Sequence, residues 1–296
     1  MLAPTVFDDP AGLAARLARE IVDAIRANAL QGRGFVLGCP GGRSPKPTYD
    51  ALAELVRAES VDLSGLTVVM MDEYLEPAGA GLRAVASTEH YSVARFAAEH
   101  LVGPLNAAAG HGRTVTPDRV LFPDPADPAA YDRTLAALGG VDLFILASGD
   151  SDGHVAFNPP GSGLDSITRV IRLAESTRRD NLGTFPQFQR LEQVPEFGIS
   201  VGVGTIRTVS RRAVLIATGP AKGLAVQRIC GVDDYDPSWP SSVLICCSDA
   251  SLYTDTAAML ARPHVGAGAQ PDVQPDARPD ARPDARPDVR PDVQPR

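Results

Sequence analysis

The sequence VDLFILASGDSDGHVAFNPPGSG, residues 141–163, decides the fold, and the rest of the chain is organised around it. Residues 141–147 are a nearly unbroken apolar run, too short for an ordinary helix and typical of a strand buried on both faces of a sheet. Small and acidic residues follow this run and end at His154. Ligands of open α/β sheets bind at the carboxyl ends of parallel strands, so Asp152 and His154 are candidate site residues. The alternative is a polar loop with a surface histidine.

The composition limits the classes of function. The chain has 296 residues, 44% hydrophobic and 22% charged, enough to bury one large core or two small ones. A net charge of -8 argues against nucleic-acid binding but permits a small phosphorylated ligand held by local donors. The four cysteines lack C-x-x-C spacing, so no zinc site is predicted. No stretch is long and apolar enough to span a bilayer and no leader pattern is present, so we expect a cytoplasmic protein without membrane partners.

Strand-like and helix-like segments alternate along the chain. The predicted strands are Phe35–Cys39 and residues 66–71, 141–147, 197–204, 213–218 and 243–247. The predicted helices are Pro10–Leu30, one through Tyr49 and Leu55, and residues 87–101, 127–138, 221–229 and 251–261. Residues 75–86, rich in glycine and alanine, are expected to form a surface loop. The alternation predicts an α/β fold with a doubly wound, mainly parallel sheet and helices on both faces.

A glycine turn follows the first long strand. Gly41, Gly42, Arg43 and Ser44 precede a helical pattern that begins at Pro45, with Ser44 as the expected N-cap. Glycines before a helix N-terminus let backbone N–H groups converge on an anion. The turn is therefore a candidate anion site, and an ordinary strand-to-helix connection is the alternative.

Charged residues stand at other positions where strands end or helices begin. Asp72 follows the predicted strand 66–71 directly. Lys222 lies in the first turn of a predicted helix, where it opposes the helix dipole unless an anion pairs with it. Four arginines follow the central loop, and they either contact a phosphate or form a solvated surface. They are Arg169, Arg172, Arg178 and Arg179.

The composition changes near residue 263. Residues 271–294 are six consecutive Pro-Asp-(Ala/Val)-(Arg/Gln) units without a large apolar residue. Such a repeat cannot offset the entropy cost of folding, so we predict one folded domain over residues 1–262 and a disordered tail over residues 263–296.

Several ordered motifs resemble those of the glucosamine-6-phosphate deaminase/isomerase family, which is related to the 6-phosphogluconolactonases. The resemblance covers about residues 10–260. The motifs are GGRSP at Gly41, MDEY at Met71, SDGHVAFN at Ser151, TR at Thr168 and Thr177, VGVGT at Val201 and GPAKGLAVQ at Gly219. The resemblance implies a Rossmann-like fold and a sugar-phosphate enzyme.

The resemblance also implies roles for the candidate residues. Asp72 would move a proton between C1 and C2 of the opened sugar, and His154, oriented by Asp152, would open the pyranose ring. A hexosamine 6-phosphate would be converted to a ketose 6-phosphate and ammonia, with no metal or organic cofactor, by a protein that forms a homo-oligomer. The residues expected at the substrate phosphate are Gly41, Gly42, Arg43, Ser44, Arg178 and Lys222.

Two positions depart from the deaminase pattern. Pro159 stands where deaminases have a glutamate that partners the histidine, and Gly183 stands where a phosphate-binding arginine is expected. Two alternatives therefore stay open besides a deaminase. One is a 6-phosphogluconolactonase-like hydrolase or modified hexose-phosphate isomerase, and the other is a catalytically silent sugar-phosphate-binding regulator. The presence of Asp72, Asp152 and His154 together favours an enzyme, because a silent binder does not need all three.

Overall fold

Seven parallel strands form the main sheet of the computed structural model, which describes residues 2–79 and 81–261. They are β1 (Thr5–Phe7), β2 (Phe35–Cys39), β3 (Leu66–Met70), β6 (Val120–Leu121), β7 (Leu143–Ala147), β10 (Ala213–Ala217) and β11 (Ala250–Asp255). Their order across the sheet is β1-β11-β10-β7-β2-β3-β6, which places β7 at the centre. The strand predicted from the opening sequence is therefore the middle of the fold.

A second, smaller sheet is antiparallel. It contains β4 (Asp72–Ala78), β5 (Gly81–Ala84), β8 (Arg169–Arg172) and β9 (Phe197–Ser200), in the order β5-β4-β9-β8. Only Met71 separates β3 from β4, so the chain passes from the main sheet to the small sheet at Asp72. A carboxyl group thus lies at the junction of the two sheets.

Helices cover the main sheet. The α-helices are α1 (Pro10–Leu30), α2 (Lys46–Glu59), α3 (Val93–Ala97), α4 (Gly103–Ala109), α5 (Pro128–Ala137), α6 (Glu175–Thr184), α7 (Val203–Val209), α8 (Gly223–Cys230) and α9 (Thr256–Leu260). A π-helical turn, Ala98–Val102, joins α3 to α4. Among the helices of the described residues, none is long and apolar enough to cross a membrane.

Alternate residues of β7 pack into two different apolar clusters. Leu143 and Ile145 belong to a cluster with residues of α1 and α2, whereas Phe144 and Leu146 belong to one with residues of α7 and α8. Gly38 of β2 makes room for the Phe144 ring, because a Cβ atom at position 38 would lie 2.1 Å from Cδ2 of that ring. The sheet is buried on both faces, and the predicted doubly wound, mainly parallel α/β fold is confirmed.

The predicted loop, one strand and the last helix were wrong. Residues 75–86 include most of the hairpin of β4 and β5, because β4 is held at its other edge by β9. The stretch predicted as a strand at 243–247 lies largely in a 3-10 helix, Pro240–Cys246, which Pro240 begins. The predicted helix 251–261 is divided: its first residues complete β11 against β10, and Asp255 then caps α9.

Three boundaries also differ from the predictions. The helix after the glycine turn begins at Lys46, and Pro45 rather than Ser44 occupies the N-cap position. The helix predicted from residue 87 begins at Val93, because the Ser92 hydroxyl caps it by accepting from the Arg95 N–H at 3.3 Å. The strand predicted over 197–204 ends at Ser200 and belongs to the antiparallel sheet. The predicted tail, residues 263–296, lies outside the described residues.

Candidate active site

A cavity of about 420 Å³ lies at the carboxyl ends of the central parallel strands. It is lined by the glycine turn after β2, by Asp72 after β3, by residues 147–150 at the end of β7 and by Lys222 after β10. His154 also lines it, and Tyr74 and Phe157 form part of an aromatic wall with ring centroids 4.9 Å apart. The topology thus brings residues that are distant in sequence to one edge of the sheet.

Asp152 and His154 form a hydrogen-bonded pair. Nδ1 of His154 lies 2.7 Å from Oδ1 of Asp152, and the backbone N–H of His154 donates to the same oxygen at 3.1 Å. The other carboxylate oxygen accepts from the Ser176 hydroxyl at 2.5 Å. Because an ionised carboxylate only accepts hydrogen bonds, Nδ1 of His154 carries the hydrogen and Nε2 is left to exchange protons.

The pair shifts both pKa values toward the charged forms. Burial alone would raise the pKa of Asp152, but the hydrogen bond and charge of His154 outweigh it and hold the pKa well below its usual range. Burial alone would lower the pKa of His154, but the hydrogen bond and charge of Asp152 outweigh it and raise the pKa. The imidazole is therefore set to accept a proton near neutral pH.

Asp72 is a buried carboxyl group with 7% of its surface exposed. Burial, and then the negative charge of Glu73, raise the pKa of Asp72 to about 7, against the opposing effect of His154. Such a group holds and releases a proton at neutral pH, as a general acid and base requires. The structure places Asp72 and His154 in the same cavity, as the sequence predicted.

Glu73, next to Asp72, has a different task. Its carboxylate accepts hydrogen bonds from the backbone N–H groups of Tyr74 at 2.8 Å, Val93 at 2.9 Å and Ala94 at 2.8 Å, and from the Ser92 hydroxyl at 3.0 Å. It satisfies the first N–H groups of α3, which have no partner within the helix. Glu73 thus holds α3 against β4 beside the cavity, and its carboxylate oxygens are already hydrogen-bonded within the protein.

The basic edge of the cavity is formed by the glycine turn and Lys222. Gly41, Gly42, Arg43 and Ser44 all line the cavity, and Gly42 has a φ of 85°, which favours glycine. The ammonium group of Lys222 contacts both the Asp150 carboxylate and the Ser148 carbonyl oxygen, and its side chain is 14% exposed. The candidate phosphate residues on these two segments are therefore brought together.

The structure does not bring Arg178 to this group. Its guanidinium donates to the carbonyl oxygens of Leu191 at 2.8 Å and Val194 at 3.0 Å, and it ties α6 to the following segment. Its neighbour Arg179 lines the cavity instead. Sequence reasoning could not tell which of the two adjacent arginines lines the cavity, because the direction of each side chain on α6 depends on packing.

Sequence reasoning also gave no role to Asp180, which lines the cavity from α6. The available signal was an acidic residue two positions after the second TR motif, but the direction of its side chain could not be predicted without knowing how the helix packs. Within residues 2–79 and 81–261, no three histidine, cysteine, aspartate or glutamate side chains are grouped as metal ligands would be.

A parallel α/β sheet with a basic glycine turn, a buried carboxyl and an aspartate-bound histidine at its strand ends defines an acid–base enzyme for a small anionic substrate. Comparison with known families agrees. The family model for glucosamine-6-phosphate isomerases/6-phosphogluconolactonase matches residues 8–253, and the chain belongs to that family.

Individual relatives are similar over most of their length. The glucosamine-6-phosphate deaminase of Mycolicibacterium smegmatis is 34% identical over 245 residues, which covers 82% of this chain and 87% of that protein. The glucosamine-6-phosphate deaminase of Bifidobacterium longum (strain DJO10A) is 39% identical over 218 residues, 71% of this chain and 74% of that protein.

Solved structures share the fold. A monomeric glucosamine-6-phosphate deaminase superposes with a TM-score of 0.75 at 26% identity, covering 88% of this chain and 100% of that chain. The 6-phosphogluconolactonase of Leishmania guyanensis superposes with a TM-score of 0.64 at 18% identity, covering 88% of this chain and 98% of that chain. The second likeness concerns the fold alone.

Proposed function

We propose that this protein converts a hexosamine 6-phosphate to a ketose 6-phosphate and ammonia. The observation that carries the proposal is one cavity lined by the buried Asp72, by His154 with its bonded Asp152 behind it, and by the basic edge formed by the glycine turn and Lys222. The names of the relatives support the same substrate class. The sequence-based expectations of a cytoplasmic location and a homo-oligomer remain predictions.

The substrate phosphate binds at Lys222 and the glycine turn. Backbone N–H groups of Gly41 and Gly42 and the Ser44 hydroxyl are the donors that suit phosphate oxygens. Lys222 contacts Asp150 in the structure, so the phosphate has to compete with that carboxylate for the ammonium group. Anchoring the phosphate there fixes the sugar in the cavity that His154 and Asp72 line.

His154 opens the sugar ring. Its Nε2 accepts the proton of the C1 hydroxyl, the C1=O bond forms, the bond from C1 to the ring oxygen breaks, and the proton is returned to that oxygen. The imidazole is positively charged between the two transfers. Asp152 stabilises that charge and keeps the ring oriented.

Asp72 then moves hydrogen along the opened chain. Its carboxylate removes the proton from C2 while the substrate ammonium gives a proton to O1, which yields an enolamine, and the carboxylic acid then delivers the C2 proton to C1. The product is an imine at C2, which water hydrolyses to the ketose 6-phosphate and ammonia. A pKa of about 7 lets one carboxyl group serve in both directions at neutral pH.

A parallel assay tests the proposal. Purified protein is incubated with glucosamine 6-phosphate, galactosamine 6-phosphate and 6-phosphogluconolactone, and ammonia, ketose phosphate and lactone hydrolysis are measured. We expect ammonia and ketose phosphate in equal amounts from one of the amino sugars. Hydrolysis of the lactone without ammonia release from either amino sugar would replace the proposal with the lactonase alternative. Binding of all three without turnover would indicate a silent binder.

A further inference from the structure

Asp180 lines the cavity but takes no part in the ring-opening and proton-transfer steps proposed for His154 and Asp72. It lies on α6 and lines the cavity together with Asp72 and His154, whereas Asp152 does not line it. Its carboxyl group interacts electrostatically with His154. The imidazole thus has one carboxylate bonded to Nδ1 and a second one on α6 that lines the same cavity.

The register of α6 explains this placement. Ser176 and Asp180 are four residues apart on the helix, so their side chains lie on the same face, one turn from each other. Ser176 is anchored by its 2.5 Å hydrogen bond to Asp152. The anchor fixes the rotation of the helix and directs the next residue on that face, Asp180, toward the Asp152–His154 pair.

The three aspartates near His154 differ in their partners. Asp150 pairs with Lys222, and Asp152 pairs with His154 and Ser176. Among residues 2–79 and 81–261, the Asp180 carboxyl has neither a hydrogen-bond donor nor an ion-pair partner at bonding distance. Burial raises the pKa of Asp180, and the charge of His154 opposes that effect. Its carboxylate is therefore free to interact with the imidazole through the cavity.

We propose that Asp180 is a positioning residue for His154, a second carboxylate that stabilises the imidazolium from the cavity while Asp152 binds Nδ1. The proposal rests on the proposed function for the step it serves, ring opening. Asp180, on α6, would then be a second acidic partner for His154 in this chain. Pro159, which stands where deaminases have a glutamate, is not among the residues that line the cavity.

The expected effect depends on every charged group that faces His154. Asp152 and Asp180 raise the pKa of His154 and Lys222 lowers it, while Asp72 faces the ring across the cavity. Removing the charge of Asp180 leaves three of these groups in place. The pKa of His154 must then fall, because the positive charge of Lys222 still lowers it and the negative charge of Asp180 no longer opposes that effect.

NMR titration of the His154 ring tests the positioning role directly. In the full-length protein with ¹³C-labelled histidine, the pKa of His154 is measured for the wild type, Asp180→Asn and Asp180→Glu. We expect Asp180→Asn to lower it by about half a pH unit or more and Asp180→Glu to retain most of the wild-type value. The control is Asp23→Asn, which removes the same charge from an exposed position on α1, where the partner is Arg19. An unchanged His154 pKa in Asp180→Asn, or an equal fall in the control, overturns the proposal.

Kinetics separate this proposal from the proposed function. On the hexosamine 6-phosphate, Asp180→Asn is expected to lower kcat about tenfold or more with a smaller change in KM, and to move the acid limb of the kcat profile to lower pH. An unaltered kcat and pH profile also overturns the positioning role. If the wild type releases no ammonia from any amino sugar phosphate, the proposed function fails, and the NMR titration still decides whether Asp180 sets the charge of His154.

Discussion

Gly149 lies directly against the ring of His154: a Cβ atom at position 149 would be 2.3 Å from Nδ1 of the imidazole and 2.4 Å from Oδ1 of Asp152. The two residues are also joined through the main chain, since the N–H of Gly149 donates to the carbonyl oxygen of His154 at 2.7 Å. This bond closes the loop and keeps the main chain of His154 beside position 149, while the hydrogen bond to Asp152 holds the ring there. Glycine is needed here to leave space for the Asp152–His154 pair.

Gly149→Ala is therefore expected to displace the imidazole and lower kcat by about 100-fold, because a shift of about 1 Å in a reacting group costs on this order. Turnover on the hexosamine 6-phosphate is the measurement. The control is Gly12→Ala in α1, where the nearest atom to the added Cβ lies 3.5 Å away. Near wild-type turnover in Gly149→Ala would show that the pair relaxes freely and that its observed geometry is not required.

Asp72→Asn should abolish proton exchange at C2 and leave phosphate binding almost intact, since it replaces the base by an amide of the same shape. The loss expected from removing a general base is about 100-fold to 10,000-fold. The measurement is solvent deuterium in the sugar recovered after incubation, with binding of a 6-phosphate substrate as the control. Deuterium incorporation at the wild-type rate would refute the role of Asp72.

The same substitution should stabilise the protein at alkaline pH. Unfolded aspartate has a pKa of about 3.9, whereas in the folded protein the pKa of Asp72 is raised to about 7. Between these values the folded state keeps a proton that the unfolded state has lost, so this residue's contribution to stability falls as the pH rises from about 4 to about 7. Asp72→Asn removes that loss, worth on the order of a few kcal/mol.

Thermal unfolding at two pH values checks this sign. The Tm of Asp72→Asn should exceed that of the wild type at pH 8, and the difference should shrink at pH 5. An equal difference at both values would mean that the buried carboxyl does not titrate in this range. Loss of activity together with a gain in stability would mark Asp72 as a residue kept for chemistry at the expense of the fold.

Lys222→Ala is expected to weaken binding of a 6-phosphate by about 2 kcal/mol, close to a 30-fold increase in Kd, because it removes a charge-assisted contact. It also leaves Asp150 without its partner at the cavity edge, which adds repulsion. The sequence contains one other lysine, Lys46, whose ammonium group lies 3.6 Å from Asp50 on the surface. Lys46→Ala is therefore the matched control, and equal effects of the two variants on Kd would remove Lys222 from the phosphate site.

Much of the fold could be predicted because the informative segments are buried on both faces. Val141, at the start of the opening run, is fully buried, and so is every residue of Phe35–Cys39. Short apolar runs of this kind are typical of central strands in a parallel sheet that is packed on both faces. The site followed from the sheet, since carboxyl ends of parallel strands meet at one edge. Asp72 and His154 could be placed in this way before any contact was known, whereas Lys222 was singled out by its position in the first turn of a helix and by the family resemblance.

The antiparallel sheet could not be predicted because its pairing is not local. Pro77 and Gly81 look like loop residues, yet β4 and β5 form a hairpin because β9 pairs with β4 from a position more than a hundred residues later. The same holds for Arg178 and Arg179, whose different directions are set by the carbonyl groups that Arg178 meets after α6. Such tertiary contacts override propensity and leave no trace in spacing.

The walls of the cavity differ in how firmly they are packed and hydrogen-bonded to the rest of the fold. The wall from β4 and α3 is tied down by the four hydrogen bonds of Glu73, whereas α6 buries only Thr177 and Asn181. Substitutions at positions of α6 outside these two and outside Ser176 and Arg178, whose side chains are hydrogen-bonded to other segments, therefore cost little folding free energy. A lineage that carries this fold is free to vary Arg179, which lines the cavity, and to test new ligands there, while the proton-transfer groups stay unchanged. Directed evolution of a new substrate preference is therefore best begun at the exposed cavity-lining positions of this helix.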